Sequence, residues 1–152
     1  MKTQEQGKIR ALYRYPQKGQ PPVSEKTLTL EKDTGILGDC HSDGSDRQIS
    51  LLDAIAREWM QVQETEGFCF KKFKENILVE GVDIRNWKPG THVRVGTAEV
   101  EITIVQKHCY PELCTLAQEG RDCRLQGSCC FARVVESGTI KAGDKITVMK
   151  EK

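Results

Sequence analysis

This chain of 152 residues has no Cys-x-x-Cys pair, no long apolar run and no surplus of either charge. Lysine plus arginine number 23 and aspartate plus glutamate 22, a net charge of +1. That balance supplies no basic stripe for nucleic acid or for an anionic membrane surface. No segment approaches the ~20 apolar residues of a membrane-spanning helix. The opening MKTQEQGKIR is polar and has no apolar core of the secretory kind. Internal repeats, low-complexity tracts and interdomain linkers are missing. No lysine stands in a setting that suggests a Schiff base. The glycines of 35–44 lack the preceding strand and following helix that a phosphate-cradling loop requires. The expectation is a soluble cytoplasmic protein, one domain over 1–152, with neither nucleic acid nor membrane as partner. A chain of this size buries about 68–70% of its unfolded surface without covalent staples.

Cysteine is what the chain does have. Of seven, five fall in the last third: Cys109, Cys114 and Cys123 within KHCYPELCTLAQEGRDC, then Cys129 and Cys130. An odd count in a reducing compartment points to metal binding or thiol chemistry rather than disulfides. Cys69, between aromatics in GFCFKKF, reads as a small buried hydrophobe. Four, eight and five residues separate Cys109, Cys114, Cys123 and Cys129. Structural zinc sites use tighter knuckles, so a zinc module, with or without His108, is the weaker reading. For thiol chemistry the nucleophile is the thiolate, and Lys107 and His108 are placed to favour it on Cys109. Cys114 and Cys123 are then candidate resolving thiols, able to convert a persulfide or sulfenate into a disulfide.

The pattern of elements is mainly β. GKIRALYRY (7–15) and EKTLTLEK (25–32) read as strands on either side of a Pro/Gly breaker. The stretch 35–46 is turn chemistry, and RQISLLD (47–53) a short buried strand. The clearest helix follows, with Asp53 as N-cap, an apolar stripe of Ile55, Trp59 and Val62, and Gly67 beyond its end. ENILVEG (75–81) is a strand in which Asn76 bonds the backbone. Two more strands lie in KPGTHVRVGTAEVEITIVQ, with Ala98, Val100, Ile102 and Ile104 on one face. The closing segment reads as two strands joined by SGTIKAGD, a turn in which Gly138 and Gly143 permit positive φ and Asp144 caps. Trp59 and Trp87 are assigned to the core. Many short strands with one helix call for a barrel, which removes open edges.

A second candidate surface is GDCHSDGSDRQ. His41 offers a ligand or proton carrier, and Asp39 and Arg47 can orient an anion. The structural alternative has Asp39 and Asp43 capping turns. Arg133, soon after the thiols, is a second anion-binding candidate, or else the partner of a buried carboxylate. Cys40 reads as incidental.

Taken in order, GILGDCHSDGSDRQISLLD, ENILVEGVDI, KPGTHVRVG, a strand ending towards Cys109, and FARVVESGTIKAGDKITV resemble the MOSC domain. That family is named for the C-terminal domain of molybdenum cofactor sulfurase. The resemblance spans about 7–148 and is nearest to the small stand-alone bacterial form. It implies a β-barrel related to that of pyruvate kinase, with one or two short helices, and a reactive cysteine at the position of Cys109. His41 and Arg133 stand where the family also has histidine and arginine. The implied role is a sulfur carrier or transferase that accepts sulfane sulfur from a pyridoxal-phosphate cysteine desulfurase, the pyridoxal phosphate belonging to that partner. The implied alternative binds molybdenum cofactor for a reductase-type activity. Cys109 would then ligate molybdenum, Arg47 and Arg133 would hold the pterin phosphate, and Asp39 and His41 would lie nearby. Whether the chain is itself an enzyme stays open between these roles, and a partner from cofactor biosynthesis or a molybdoenzyme fits either.

Overall fold

A computed structural model describes residues 6–64, 67, 73–105, 111–120, 123, 125 and 127–149. The first strands are β1 (Gln6–Arg14), β2 (Val23–Glu25), β3 (Thr27–Glu31), β4 (Gly35–Ile36) and β5 (Ile49–Asp53). Helix α1 (Ala54–Gln61) leads towards β6 (Ile77–Glu80), β7 (His92–Val95) and β8 (Ala98–Ile104). Helix α2 (Thr115–Gln118) precedes β9 (Cys129–Glu136), β10 (Gly138–Lys141) and β11 (Lys145–Val148).

Seven strands close a ring in the order β11-β7-β8-β9-β5-β6-β1, and β1 returns to β11 through Gln6↔Thr147, Gly7↔Ile146 and Lys8↔Lys145. Closure leaves no edge in the ring for another chain to pair with. Strand β2 extends β1, and a separate sheet β10-β3-β4 lies across the barrel's side chains. Every pairing is antiparallel except β5 with β6. Parallel neighbours cannot be joined by a hairpin and need a crossover, which here contains α1.

Strand alternation sorts the core into two compartments. Ile49, Leu51, Ile77, Val79, Val100, Ile102, Cys130, Ala132 and Val134 fill the barrel, with Leu28, Leu30, Ile36 and Ile140 from the second sheet. Leu52, Leu78 and Cys129 point outwards, into a cluster with Ala54, Ala56 and Met60 of α1, Phe73, Cys114, Leu116 and Leu125. This second layer is why β5 is buried at four successive positions.

Four expectations need correction. Of the predicted helix stripe only Trp59 packs against the core: Ile55 is 62% and Val62 76% exposed, while Ala54, Ala56 and Met60 are buried. The helix ends at Gln61, so Val62 lies past the last turn, and small alanines let its backbone approach Leu52 and Leu78. Trp87 is buried, as expected, but Trp59 only partly. SGTIKAGD is also more than a turn, since it contains β10, paired with β3 from Gly138↔Leu30 to Lys141↔Thr27. Gly143 has φ +93° and Asp144 accepts from the Lys141 amide, both as expected. Gly138 has no positive φ; instead a Cβ there would lie 2.6 Å from the Thr97 carbonyl carbon.

Replacing Gly138 by Ala should therefore cost about 1–3 kcal/mol in urea unfolding, as overpacking against backbone does. At the helix start, the Asp53 carboxylate accepts from the Ile55 amide at 3.0 Å. Asp53→Ala should cost about 1 kcal/mol and Asp53→Asn almost nothing, because asparagine caps equally well. Burial raises the Asp53 pKa against the opposing bond from Ile55. A raised folded pKa means that the native state holds the proton more tightly. Relative to Asp53→Asn, the wild type should thus gain stability as pH falls through the carboxylate range.

Candidate functional site

One end of the barrel collects most of the polar chemistry. At this end neighbouring residues form a row across five strand positions. Ile104 pairs with Phe131, Phe131 with Ser50, the Asn76 amide donates to the Ser50 carbonyl, and the Tyr13 amide donates to the Asn76 carbonyl. The 35–46 segment folds onto this row through Asp39.

The Asp39 side chain is fully buried and accepts three N–H groups: the Tyr15 amide (3.0 Å), the His41 amide (2.8 Å) and Asn76 Nδ2 (2.7 Å). Asn76 divides its amide in two directions. Its Oδ1 accepts from the Ser50 amide and hydroxyl, and its Nδ2 also donates to the Tyr13 carbonyl. Four backbone segments, β1, β5, the 35–46 loop and the start of β6, thus meet at one carboxamide–carboxylate pair. Asp39 takes the turn-capping role considered for it, in a buried setting. Asp43 does likewise at the surface, accepting from the Ser45 amide, and the Ser45 hydroxyl first, then that amide, lowers its pKa. His41 Nδ1 stands 3.4 Å from Asp39 Oδ1, and its ring meets Tyr15 edge-on with centroids 5.5 Å apart. Tyr15 donates its hydroxyl to the Glu75 carbonyl, and burial first, then Glu75, raises its pKa. Glu75 is in turn gripped by Arg57 through Nε (3.0 Å) and Nη2 (2.6 Å).

The two predicted anion-binding arginines come close to β9 from different places, Arg47 from the loop before β5 and Arg133 from the strand itself. Arg47 rests on the Phe131 ring, its guanidinium carbon 4.9 Å from the centroid. Arg133 is two residues further along the same outward face and directs Nε (3.0 Å) and Nη2 (2.6 Å) to Glu101 Oε1. That pairing raises the Arg133 pKa and offsets much of its charge. The side chain stays 44% exposed. Of the two, Arg47 is the better placed to receive an anion. The loop carrying it is tied down by Thr103, whose hydroxyl donates to the Asp46 carbonyl.

Cys109, with Lys107 and His108, lies outside the described residues, as does Cys69. Cys114 is buried and Cys123 half-buried, and both pack in the outer cluster with Cys129. Adjacent cysteines on β9 are split by alternation: Cys129 faces the thiol segment, while Cys130 faces the barrel interior, where burial pushes its thiol pKa well up. Alternation along FARVV was readable in the sequence and assigns these two thiols to different compartments. Tyr15, Arg57 and Glu75 were not singled out. Tyr15 enters through its backbone amide, which no side-chain pattern signals.

If Asn76 is the joint of this region, Asn76→Ala should destabilise by about 1–3 kcal/mol, the cost of leaving buried polar partners unsatisfied. Denaturant unfolding would measure it, with the exposed substitution Asn86→Ala expected to cost far less.

Known proteins give the arrangement a family. The model of the MOSC domain matches residues 39–147, from the buried Asp39 to β11. Among solved structures, the YuaD protein from Bacillus subtilis aligns over 100% of both chains with 18% identity and a TM-score of 0.74. YiiM from Geobacillus stearothermophilus aligns over 95% of this chain and 75% of its own, with 18% identity and a TM-score of 0.62. YiiM from Escherichia coli aligns over 95% and 71%, with 20% identity and a TM-score of 0.59. At these identities the likeness concerns the fold. No curated protein matches the chain significantly. The family match covers most of the chain and the barrel agrees with it: the chain belongs to the MOSC domain family, the domain type of molybdenum cofactor sulfurase.

Proposed function

We propose that this chain is a thiol-based sulfur carrier of molybdenum-cofactor metabolism, with Cys109 as the acceptor. The observation that supports this most is the direction of β8. Its last residue, Ile104, belongs to the same polar row as Ser50 and Asn76, and Cys109 follows five residues later. Five residues reach at most about 17 Å, so chain connectivity keeps the thiol within that distance of Ile104, which supports a role beside Asp39, His41 and Arg47.

The chemistry needs no resident cofactor. The Cys109 thiolate attacks the outer sulfur of a persulfide on a partner cysteine desulfurase. A new S–S bond forms to Cys109, the donor's S–S bond breaks, and the donor cysteine leaves as thiolate. Sulfane sulfur moves with no net oxidation, and pyridoxal phosphate stays with the partner. Lys107, His108 and Arg47 are the groups that would favour the thiolate and the anionic persulfide. Cys123, less buried than Cys114, is the more accessible resolving thiol; a role for Cys114 requires the outer cluster to open.

A second reading rests on Arg47 stacking on Phe131, two residues from Arg133 on the outward face of β9. Two guanidinium groups suit a phosphate, and a cysteine suits molybdenum, so the donor set fits a pterin cofactor held by Arg47 and Arg133 with Cys109 as ligand. Bound there, the group would supply two-electron redox chemistry. The protein's part would be to hold the phosphate, with Glu101 limiting the charge that Arg133 contributes.

Intact mass on anaerobically purified protein, after incubation with a cysteine desulfurase and cysteine, tests the carrier. The wild type should gain ~32 Da, removable by thiol reductant, and Cys109→Ala should gain nothing while unfolding at an unchanged denaturant midpoint. Equal loading of both proteins would refute the assignment. Stoichiometric pterin on protein from a molybdenum-competent host, lost in Arg47→Ala, would favour the cofactor reading instead.

A further inference from the structure

The Asp39–Cys40–His41 triplet contains an arrangement that the sulfur-transfer step does not use. One ligand-type atom from each of the three residues lies within 4.8 Å of the others. We propose that these three residues form a binding site for a divalent transition ion of the zinc class.

Two independent features of the loop point to a cation. The first is the state of Asp39. Burying a carboxylate is costly unless its charge is compensated. Its partners are three neutral N–H groups and the His41 ring, and no lysine or arginine among the described residues pairs with it. A divalent ion between Asp39, Cys40 and His41 would set a full positive charge beside a carboxylate that otherwise has N–H dipoles and the imidazole as partners. The second feature is the chemistry of the donor set. Thiolate, imidazole and carboxylate are the three donor types that zinc accepts, and three protein ligands with one open position describe a reactive zinc site. Magnesium and calcium select oxygen donors, so the thiol and imidazole argue against them.

The geometry is graded in a way that suits capture. Asp39 is immobile, its orientation fixed by Tyr15 and Asn76. Such outer bonds to a ligating carboxylate are what orient a metal site. The loop is pinned on the other side by Ser42, whose hydroxyl accepts from the Ile36 amide (2.7 Å) and donates to the Gln48 carbonyl (2.8 Å). Cys40 is exposed and His41 is half-exposed, though the Cys40 backbone is held by its amide bond to the Tyr15 carbonyl (2.8 Å). Ligands at zinc distances of ~2.0–2.3 Å in a tetrahedron stand roughly 3.3–3.8 Å apart. Closing on an ion therefore takes about 1 Å of movement, within reach of a rotamer change at the two mobile side chains. Binding releases the thiol proton from Cys40, forms the metal–sulfur, metal–nitrogen and metal–oxygen bonds, and changes no oxidation state.

Cobalt(II) is the probe, since a thiolate bonded to it gives a near-ultraviolet charge-transfer band. Reduced, metal-free full-length protein would be titrated anaerobically with Co²⁺, and then with Zn²⁺ to displace it. The expected result is a band saturating at one equivalent and bleached by zinc. Cys40→Ser should lack the band and His41→Ala should bind at least about tenfold more weakly. Cys109→Ala should bind as the wild type does. Far-ultraviolet circular dichroism of the Cys40 and His41 variants should match wild type, because both side chains reach solvent. No band at one equivalent, or a band that survives Cys40→Ser and disappears in Cys109→Ala, would overturn the site. The carrier reading does not depend on the outcome, since sulfur loading is read on Cys109 by mass.

Discussion

The parallel pairing of β5 with β6 is the constraint on which the rest of the molecule turns. Every other neighbour in the ring is antiparallel and accepts a short connection, but these two strands must be joined by a crossover. The crossover lays α1 on the outside of the barrel and so creates a second apolar layer over Leu52 and Leu78. That layer is what gives the cysteine-rich segment somewhere to pack. Cys114, Leu116, Leu125 and Cys129 close over it, as do the partly buried Cys123 and Phe131. A barrel with only hairpins would have left the thiol segment on bare polar surface. The packing of Cys114, Cys123 and Cys129 is thus a consequence of strand direction.

The same junction explains why a buried carboxylate is tolerated beside it. Asn76 immediately precedes β6, and its side chain reaches Ser50 of β5, Tyr13 of β1 and Asp39 of the loop. In a low-dielectric setting such a network is worth having only if each member is satisfied. Among the described residues no buried side-chain polar atom lacks a partner. Rigidity follows: the loop's polar residues are held against three strands, while His41 and Cys40 stay accessible at its tip. A fixed base with movable donors is a common plan for a binding loop on a barrel rim.

How far this was legible in the sequence depended on the range of the cause. Period-two alternation in AEVEITI and CFARVV reports local backbone geometry, and those strands lie where the pattern puts them. The Asp53 cap and the glycine at 143 are equally local. The errors came from partners distant in sequence. Strand β10 looks like a turn until Thr27–Glu31 pairs with it, over a hundred residues away. The α1 stripe failed because hydrophobicity alone favours Ile55 and Val62, whereas close approach to the sheet selects Ala54 and Ala56. At the site, Asp39 and Asn76 were marked by residue type. Their union could not be read, since it joins backbone groups of Tyr13, Tyr15 and Ser50 that carry no sequence signal.

The fold also sorts the cysteines by accessibility, which bears on any thiol chemistry. Cys130 is sealed in the barrel with a raised pKa, so it is a poor nucleophile near neutral pH. Cys114 and Cys129 are buried in the outer cluster, where reaction first requires the covering segment to lift. Cys123 is intermediate and Cys40 open. Selective thiol reactivity in this chain therefore does not require seven different pKa values. Strand alternation and the α1 layer bury three of the five described thiols, and under the proposed reading charge discriminates among the others: Lys107 and His108 precede Cys109, whereas Asp39 lies beside Cys40. A persulfide, being anionic, is favoured next to the first pair and disfavoured next to a buried carboxylate. The opposite holds for a divalent cation, so the two proposed chemistries would fall on separate sulfurs.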